Sequence, residues 1–429
     1  MERYIMNKIL EWKNSMSRKP LIIMGARQVG KTWIMKEFGK RFFKNTVYIN
    51  FDNADALKNL FEKDYDINRI LMELSIYSGI RINSEDTLII FDEIQENKKA
   101  ITALKYFCED APEYAVIAAG SLLGVSIHEG ISFPVGKVKL LNIYPLSFRE
   151  FMLALGKDMW VEQIDNGNFE ALNSVRDNIV DMLKHYYYVG GMPEVVNNFI
   201  ENRDFIEIRD LQKDIISLYE KDFGKHTPND ELPRLSMVWN SIPTQLAKEN
   251  KKFFFGHIKK GARSKDYELA IEWLLNCGLI YKVNNVTKPF IPLKSYVDFS
   301  AFKLYCLDVG LLGAMSDLSV KTILDGNKIF TEFKGALTEQ YVLQELISET
   351  PFTPYYFTET KSEGEIDFLI QKDEDIIPIE VKAEENLKAK SLRLFSGKYN
   401  PKYAIRTSMS NYRKEEWLVN IPLWAVWTV

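Results

Sequence analysis

The chain has 429 residues, of which 46% are hydrophobic and 27% are charged. These fractions are close to those of average globular proteins, and they exclude a disordered, collagen-like or disulfide-scaffold protein. At about 150 residues per domain, this length predicts roughly three folding units. The formal net charge of -4 gives no overall basic field, so net charge alone does not indicate a nucleic-acid partner, although such a balance can hide local patches.

The rare residue types indicate a reducing compartment and argue against zinc chemistry. The three cysteines lie far apart without a Cys-x-x-Cys pair, and none of the four histidines has the spacing of a zinc site. Carboxylates are therefore expected to hold any catalytic metal. The N-terminal segment has helical spacing rather than the pattern of a signal peptide, and the longest apolar stretch, residues 115–127, is too short to span a membrane. We expect a cytoplasmic protein without a membrane partner.

The first motif in chain order is a phosphate-binding loop. Residues 21–24 predict a buried strand, which is followed by a glycine-rich loop and a helical pattern. In such a P-loop, glycines let backbone N–H groups surround phosphates, and the next helix N-terminus favours negative charge. We expect Lys31 to reach the terminal phosphates and Thr32 to ligate Mg²⁺. The predicted ATP-binding residues are Gly25, Ala26, Arg27, Gln28, Val29, Gly30, Lys31 and Thr32.

A second, acidic motif follows at the distance expected within one α/β domain. Residues 88–91 predict a strand that ends in Asp92 and Glu93. Asp92 is expected to hold Mg²⁺ through its water shell, while Glu93 and Lys31 are the predicted catalytic residues, with Glu93 orienting the attacking water. The alternative is an acidic strand end that faces solvent.

A further strand is predicted over residues 114–119, and it ends in Gly120 and Ser121. A polar residue after such a strand is in a position to sense the terminal phosphate. Ser121 is therefore a candidate nucleotide-binding residue. The alternative is a simple turn.

Five strings occur along the chain in the order GARQVGKT, LIIFDEIQ, AAGSLLG, YPLSFREF and GGMPEVV. With them the chain resembles, over nearly its whole length, the prokaryotic AAA-type ATPases that carry a C-terminal domain of unknown function. The resemblance implies ATP hydrolysis, a helical lid over the nucleotide and a homo-oligomer. It also places residues 190–193 near the base and ribose, for which a helix stop and turn is the alternative. Members often have Gly-Arg where this chain has Gly136 and Lys137, and a lysine lacks the planar fork of an arginine finger.

The middle of the chain predicts helices followed by a winged helix. Apolar residues recur at helical spacing over residues 160–219, which we assign to the lid. Residues 267–275 then predict a helix and residues 278–283 a strand, a succession that suits a winged helix. This part is basic and has interleaved aromatic residues, so it is a candidate DNA-binding module, while the alternative is a packing unit. Its basic residues are Lys251, Lys252, Lys259, Lys260, Arg263 and Lys265.

Residues 365–382 predict a β-hairpin with a four-residue acidic loop at residues 372–375. One side is then uniformly apolar, because it pairs Ile366 with Val381, Phe368 with Ile379 and Ile370 with Ile377. The other side pairs Asp367 with Glu380. Like charges directly opposite each other destabilise a sheet, and a bound divalent cation would remove that penalty. The pattern therefore favours a metal site, with a salt-bridged hairpin as the alternative.

A third acidic residue, Glu339, lies on the otherwise apolar stripe of a helix predicted over residues 333–349. A carboxylate on a buried face needs a partner. Glu339, Asp367 and Glu380-x-Lys382 resemble the PD-(D/E)XK nuclease signature, on helix, strand and strand. The resemblance implies that Asp367 and Glu380 bind Mg²⁺ with help from Glu339, and that Lys382 positions or activates the attacking water. Such a domain either cleaves nucleic acid or keeps the fold for binding only.

Residues 386–414 contain eight basic and no acidic side chains. A run of this kind suits contact with a phosphate backbone, and the alternative is a solvated basic face. The basic residues are Lys388, Lys390, Arg393, Lys398, Lys402, Arg406, Arg413 and Lys414.

We therefore predict an α/β multidomain protein with four parts. These are an AAA-type ATPase core with a parallel sheet over residues 1–155, a helical lid over 156–228, a winged-helix-like domain over 229–300 and a PD-(D/E)XK nuclease-like domain over 301–429. The function that follows is ATP binding and hydrolysis with Mg²⁺, acting on or with DNA, with metal-dependent cleavage as an extension. The alternative is a nucleotide-operated switch whose C-terminal domain binds DNA or a protein partner without cleavage.

Overall fold

The computed structural model describes residues 1–57, 59–120, 133–226, 231–248, 251–324, 331–359, 364–385 and 389–429. The chain forms two compact units. The N-terminal unit contains Arg3–Tyr144 together with Asn276–Gly278, and the C-terminal unit contains Met1–Glu2, Pro145–Leu275 and Leu279–Val429. Each unit has its own sheet.

The N-terminal unit contains a five-stranded sheet in the order β2-β3-β4-β1-β5. All neighbouring strands are parallel, which confirms the predicted parallel sheet. Because the strands point the same way, the loops that follow them meet at one edge of the sheet. The strands are β1 (Leu21–Met24), β2 (Asn45–Asn50), β3 (Thr87–Asp92), β4 (Ala115–Gly120) and β5 (Lys139–Asn142).

Both central strands, β3 and β4, are buried along their whole length. Strands of a parallel sheet that are buried on both faces are continuously apolar, which is why residues 88–91 and 115–119 read as unbroken apolar runs. The described helices of this unit are α1 (Ile5–Lys13), α2 (Lys31–Phe42), α3 (Ile67–Ser78) and α4 (Lys98–Asp110).

The described part of the C-terminal unit begins with helices, and residues 160–219 are largely helical as predicted. Among the described residues of the whole chain, we find no helix with the length and apolar character needed to cross a membrane. The helices are α5 (Phe148–Ala154), α6 (Asp158–Asp165), α7 (Arg176–Val189), α8 (Pro193–Glu201), α9 (Phe205–His226), α10 (Leu232–Leu246), α11 (Phe255–Ile258), α12 (Glu268–Asn276), α13 (Val309–Met315), α14 (Val320–Leu324), α15 (Thr331–Glu349) and α16 (Lys390–Tyr399).

An eight-stranded mixed sheet organises the rest of the C-terminal unit, in the order β12-β13-β11-β10-β9-β8-β6-β7. The predicted helix over 267–275 and strand over 278–283 are present as α12 and β6, and β6 is a strand of this sheet. The strands are β6 (Ile280–Val286), β7 (Val297–Cys306), β8 (Tyr355–Thr358), β9 (Glu365–Lys372), β10 (Asp375–Val381), β11 (Ala404–Ser408), β12 (Arg413–Lys414) and β13 (Leu418–Pro422).

Strand β7 runs through residue 300, where the sequence predicted a boundary between the winged helix and the nuclease-like domain. Residues of β7 on both sides of this boundary pair with the same strand, β6: residues 297–298 before it and residues 302–306 after it. The division into lid, winged helix and nuclease-like domain stays a prediction.

The β9–β10 hairpin has the predicted register at two of its three apolar pairs. The predicted pairs of Ile366 with Val381 and of Asp367 with Glu380 lie beyond the paired residues of this ladder and stay predictions. Phe368 pairs with Ile379, and Ile370 pairs with Ile377. The predicted loop is too long, because Lys372 also pairs with Asp375 and leaves a two-residue loop. Its first residue has a φ of 55°, the left-handed conformation that such tight hairpin turns require.

The Gly190-Gly191 pair ends α7 in a tightly packed place. Gly190 has a φ of 72°. A Cβ on Gly191 would lie 2.0 Å from the carbonyl oxygen of Leu146. The Gly191 N–H donates a hydrogen bond of 2.6 Å to Asp308 Oδ2. These contacts are those of a helix end followed by a turn. The predicted proximity of residues 190–193 to a base and ribose stays a prediction.

Candidate functional site

The P-loop connects β1 to α2 in the N-terminal unit. Its backbone curls through left-handed conformations at Gln28 (φ 64°) and Gly30 (φ 95°). Gly25 has no space for a side chain, because a Cβ would lie 2.4 Å from the Ile143 carbonyl oxygen. Helix α2 begins at Lys31, so the loop lies against a helix N-terminus. This is the backbone arrangement that binds phosphate groups.

Lys31 lies buried inside the loop. Its Nζ donates hydrogen bonds to the carbonyl oxygens of Gly25 (3.0 Å) and Ala26 (2.6 Å). Burial lowers the pKa of Lys31 to about 8, although the carboxylates of Glu93 and Asp92 oppose that shift. The ammonium group therefore remains mainly charged at neutral pH.

Asp92 lies at the end of β3 and is almost fully buried. Its Oδ2 accepts a hydrogen bond of 2.6 Å from Thr32 Oγ1 and one of 2.8 Å from the Tyr48 hydroxyl. A hydroxyl and a carboxylate in contact are suitable oxygen ligands for one Mg²⁺ ion, so these residues fit the predicted site. Burial, together with the hydrogen bond to Asp92, raises the pKa of Tyr48, which keeps its hydroxyl protonated as a donor.

Glu93 follows Asp92 with a left-handed backbone, at a φ of 49°. Positive φ is uncommon for a residue with a side chain, and such strain concentrates at functional sites. Glu93 Oε2 accepts a hydrogen bond of 2.6 Å from Gln95 Nε2.

Lys137, which stands where the resemblance implies that arginine is common, lies 2.8 Å from Glu109. Ser121, the candidate phosphate sensor, lies outside the described residues.

Sequence reasoning missed Tyr48 and Gln95. Gln95 is two residues after Glu93, so its place in the acidic motif was the available signal. Tyr48 is different, because its strand β2 precedes β3 by many residues. Only the sheet order, which puts β2 beside β3, brings its hydroxyl to Asp92.

In the C-terminal unit, Glu339 extends from α15 and is only 4% exposed. One carboxylate oxygen forms an ion pair with Lys251, and the other lies 3.9 Å from Lys303 Nζ and accepts a 3.3 Å hydrogen bond from the Tyr305 hydroxyl. Burial alone would raise the pKa of Glu339, but Lys251 and Lys303 outweigh it and hold the pKa below its usual value. Glu339 is therefore an ionised carboxylate with two ammonium partners.

Lys303 is fully buried on β7, with 0% exposure. Its ammonium group also forms an ion pair with Glu365 and lies 4.8 Å from the centre of the Tyr356 ring. Burial opposes the charge, but the surrounding groups, including Tyr305, Glu365 and Glu339, hold the pKa of Lys303 well above its usual value. Sequence reasoning missed Lys303, and it assigned Lys251 only to a basic surface.

The hairpin carboxylates lie beside this cluster. Asp367 Oδ2 accepts a 2.7 Å hydrogen bond from the Val381 N–H. Burial, with the nearby Glu339, raises the pKa of Asp367 to about 7. Lys382 Nζ lies 2.7 Å from Glu380 Oε1, and Glu380 Oε2 is buried without a hydrogen-bond partner among the described residues.

The lysine contacts bear on the predicted Mg²⁺ site at Glu339, Asp367 and Glu380, which stays a prediction. In the part of the chain that the structure describes, no group of three or more His, Cys, Asp or Glu residues is arranged to hold a metal ion. Lysines form ion pairs with two of the three predicted ligands, Glu339 and Glu380. Lys382, the predicted catalytic lysine, is the partner of Glu380.

Three family models match separate parts of the chain. Residues 17–152 match the AAA domain, residues 180–322 match a domain of unknown function (DUF8612), and residues 334–426 match another domain of unknown function (DUF4143). No curated protein matches the chain. The second match extends across the predicted boundaries at residues 228 and 300.

The chain is also similar to several solved structures. The Walker-type ATPase PABY2304 of Pyrococcus abyssi is 16% identical, with a TM-score of 0.46, over 73% of this chain and 95% of that one. The Aeropyrum pernix ORC1 protein, solved in complex with DNA, is 12% identical, with a TM-score of 0.29, over 73% and 90%. AMPPCP-bound DnaA from Aquifex aeolicus is 14% identical, with a TM-score of 0.28, over 63% and 85%. At these values the similarities do not decide the function.

The N-terminal unit has the fold of an AAA-type P-loop domain, and the AAA domain model matches residues 17–152. Its matching residues, its parallel sheet and its phosphate-binding loop define that class together. The matches in the C-terminal unit are to domains without an assigned function.

Proposed function

We propose that the protein binds ATP with Mg²⁺ at residues 25–32 and hydrolyses it. The contact between Thr32 and Asp92, directly beside Lys31, is the observation that carries this proposal. It brings together a hydroxyl, a carboxylate and an ammonium group, which are the groups that hold a metal–triphosphate complex. Their elements, α2 and β3, come from separate parts of the chain.

Each residue then has a defined task. The loop N–H groups and Lys31 hold the phosphates, with the ammonium exchanging its carbonyl partners for phosphate oxygens. Thr32 and Asp92 hold Mg²⁺, which neutralises the charge that develops on the transferred phosphate. Glu93 orients the attacking water and accepts its proton, and Gln95 positions the Glu93 carboxylate through their hydrogen bond.

Binding is tested by replacing Lys31 with alanine and titrating the full chain with a fluorescent ATP analogue in the presence of Mg²⁺. Loss of a charged donor to phosphate should weaken binding by at least about 10-fold to 100-fold. Lys40→Ala is the matched control, because Lys40 is exposed on the same helix. Equal affinities of Lys31→Ala and wild type would contradict the assignment.

We also propose DNA as the partner of the C-terminal unit, through an exposed basic segment at residues 259–265. Lys259, Lys260, Arg263 and Lys265 are exposed, and no acidic side chain among the described residues lies at ion-pair distance from them. Four cations within seven residues can neutralise several phosphates.

The downstream basic run is a weaker candidate. Lys398 pairs with Glu359 at 2.8 Å, Lys402 with Asp375 at 3.5 Å and Arg413 with Glu415 at 3.1 Å. Arg406 is buried and donates to Asn420. These four side chains have partners within the protein, although Lys398, Lys402 and Arg413 are more than half exposed, and Lys388 lies outside the described residues. The intramolecular pairs favour the segment at 259–265 as the DNA contact.

The DNA proposal is tested by changing all four basic residues of segment 259–265 to glutamate. The control variant carries the same change at four exposed lysines elsewhere, Lys8, Lys40, Lys63 and Lys294. If about four phosphates are contacted, the slope of log K against log salt should fall by roughly 3–4 in the first variant only. Equal slopes in both variants, or no DNA binding by wild type, would contradict the proposal.

Of the two hypotheses for the C-terminal unit, binding without cleavage fits the structure better than a metal-dependent nuclease. The observation that supports this preference is that Glu339 has lysine partners where the nuclease resemblance implies Mg²⁺. The protein is then a nucleotide-operated switch that acts with DNA. Assembly into a homo-oligomer stays a prediction.

A further inference from the structure

Four side chains form a charge-balanced group inside the C-terminal unit, which we call the lysine–carboxylate cluster: Lys251, Lys303, Glu339 and Glu365. Lys303 contacts both carboxylates, and Lys251 contacts Glu339. Two positive and two negative charges therefore balance within the cluster, in which Lys303 and Glu339 are buried while Lys251 and Glu365 are partly exposed. Asp367 lies next to the cluster, with its own hydrogen bond from the Val381 N–H.

We propose that the ammonium groups of Lys303 and Lys251 take the place of a divalent cation in this cluster, so that the C-terminal unit does not bind Mg²⁺ or Mn²⁺ there. A buried carboxylate needs a counter-charge, and here the chain supplies it. A divalent ion at Glu339 would have to displace these ammonium groups or lie beside them, and like charges that are close together in a buried region repel each other strongly.

The fold fixes the position of Lys303 in the lysine–carboxylate cluster. Its backbone is held in the sheet opposite Val283 of β6. Its side chain has no exposure, and its ammonium group lies over the Tyr356 ring. If Lys303 turned to solvent, Glu365 would lose its ammonium partner and Glu339 would keep only Lys251, so an incoming metal ion would have to displace a fixed charge.

This inference goes beyond the proposed ATPase and does not depend on it. It means that the cluster in the C-terminal unit is free of metal, and that Glu339, at a nuclease-like position, forms ion pairs instead. Association of this unit with DNA should therefore not require a divalent metal and should not lead to cleavage.

The first test is a Mn²⁺ titration of the full chain without nucleotide, followed by electron paramagnetic resonance. We expect wild type, Asp367→Asn and Glu339→Gln to bind Mn²⁺ identically, since any weak binding occurs elsewhere. Asp92→Asn identifies the contribution of the nucleotide site. A Mn²⁺ ion that is bound by wild type and lost in both Asp367→Asn and Glu339→Gln would overturn the proposal.

The second test is thermal unfolding of Lys303→Met in the presence of EDTA. Removing one member of a buried ion pair should lower Tm by about 5–10 °C, and the double variant Lys303→Met/Glu365→Gln should recover part of that loss. Lys282→Met is the control, because Lys282 is a partly buried lysine on the neighbouring strand β6. A Lys303→Met protein as stable as wild type would refute the role of Lys303. If that variant does not fold, the Mn²⁺ titration of wild type still decides.

Discussion

Thr32 donates a hydrogen bond of 2.6 Å to Asp92, although 60 residues separate them along the chain. The contact joins the first turn of α2 to the end of β3, and it brings together the two residues predicted to hold Mg²⁺. Sheet order explains it, because the loops after parallel strands meet at one edge. The fold therefore brings these two residues together.

Tyr48→Phe is expected to weaken the use of Mg²⁺. The tyrosine hydroxyl donates a 2.8 Å hydrogen bond to Asp92 Oδ2, and groups that orient a metal ligand typically contribute about 10-fold to 100-fold to affinity or activity. The Mg²⁺ concentration for half-maximal ATP hydrolysis should rise by about 10-fold, and excess Mg²⁺ should restore most of the rate.

Tyr77→Phe is the control for that measurement, because Tyr77 is an exposed tyrosine on α3 of the same unit. An unchanged Mg²⁺ requirement in Tyr48→Phe would show that Asp92 is oriented by other groups.

Gly191→Ala is expected to destabilise the C-terminal unit by about 2–4 kcal/mol. The added Cβ would lie 2.0 Å from the Leu146 carbonyl oxygen, a backbone atom that cannot move aside as a flexible side chain can. Gly335→Ala in α15 is the control, since a Cβ there meets nothing within 4 Å and should stabilise the helix by up to about 1 kcal/mol. Urea unfolding of both variants measures the difference, and equal stabilities would contradict this account.

Glu345→Gln is expected to stabilise the protein increasingly as pH rises. Glu345 is fully buried, its Oε1 accepts a 2.7 Å hydrogen bond from the Phe148 N–H, and its Oε2 has no partner among the described residues. Burial, followed by the nearby Glu349, raises the pKa of Glu345 well above its usual value. The folded state therefore retains a proton that the unfolded chain releases.

The sign follows from this proton. Above the ordinary carboxyl pKa of the unfolded chain, about 4.3, the free energy of unfolding of wild type falls with rising pH until the folded-state pKa is passed. Glutamine does not titrate, so the advantage of Glu345→Gln should grow by up to about 1.4 kcal/mol per pH unit within that window. Urea unfolding of both proteins at about one-unit pH intervals from about 5 to about 8 measures this stability difference. A constant or shrinking advantage would contradict the prediction.

Local patterns correctly predicted the strands that carry the P-loop and the acidic motif, and part of the hairpin register. The alternation of apolar residues was enough to pair Phe368 with Ile379, because a shift by one residue would expose the apolar face. It could not set the loop length, which depends on whether Asp373 accepts a left-handed conformation.

Long-range contacts were beyond such patterns. Sequence reasoning indicated that Glu339 needs a partner and proposed a metal ion, which stays a prediction, but it did not identify the neighbouring Lys251 and Lys303. Lys303 reaches Glu339 because β6 and β7 continue the sheet beyond β8, and strand order cannot be derived from periodicity in one sequence. The contact of Tyr48 with Asp92 was missed for the same reason, because it depends on the order of β2 and β3 in the sheet.

The central claim is that the N-terminal unit hydrolyses ATP with Glu93 as the residue that activates water. It is tested most directly by measuring steady-state phosphate release and retained nucleotide in wild type, Glu93→Gln and the control Glu96→Gln, whose side chain is exposed nearby. We expect wild type and Glu96→Gln to release phosphate, whereas Glu93→Gln should be slower by at least about 100-fold and retain intact ATP. Hydrolysis by Glu93→Gln at the wild-type rate, or none by wild type, would contradict the claim.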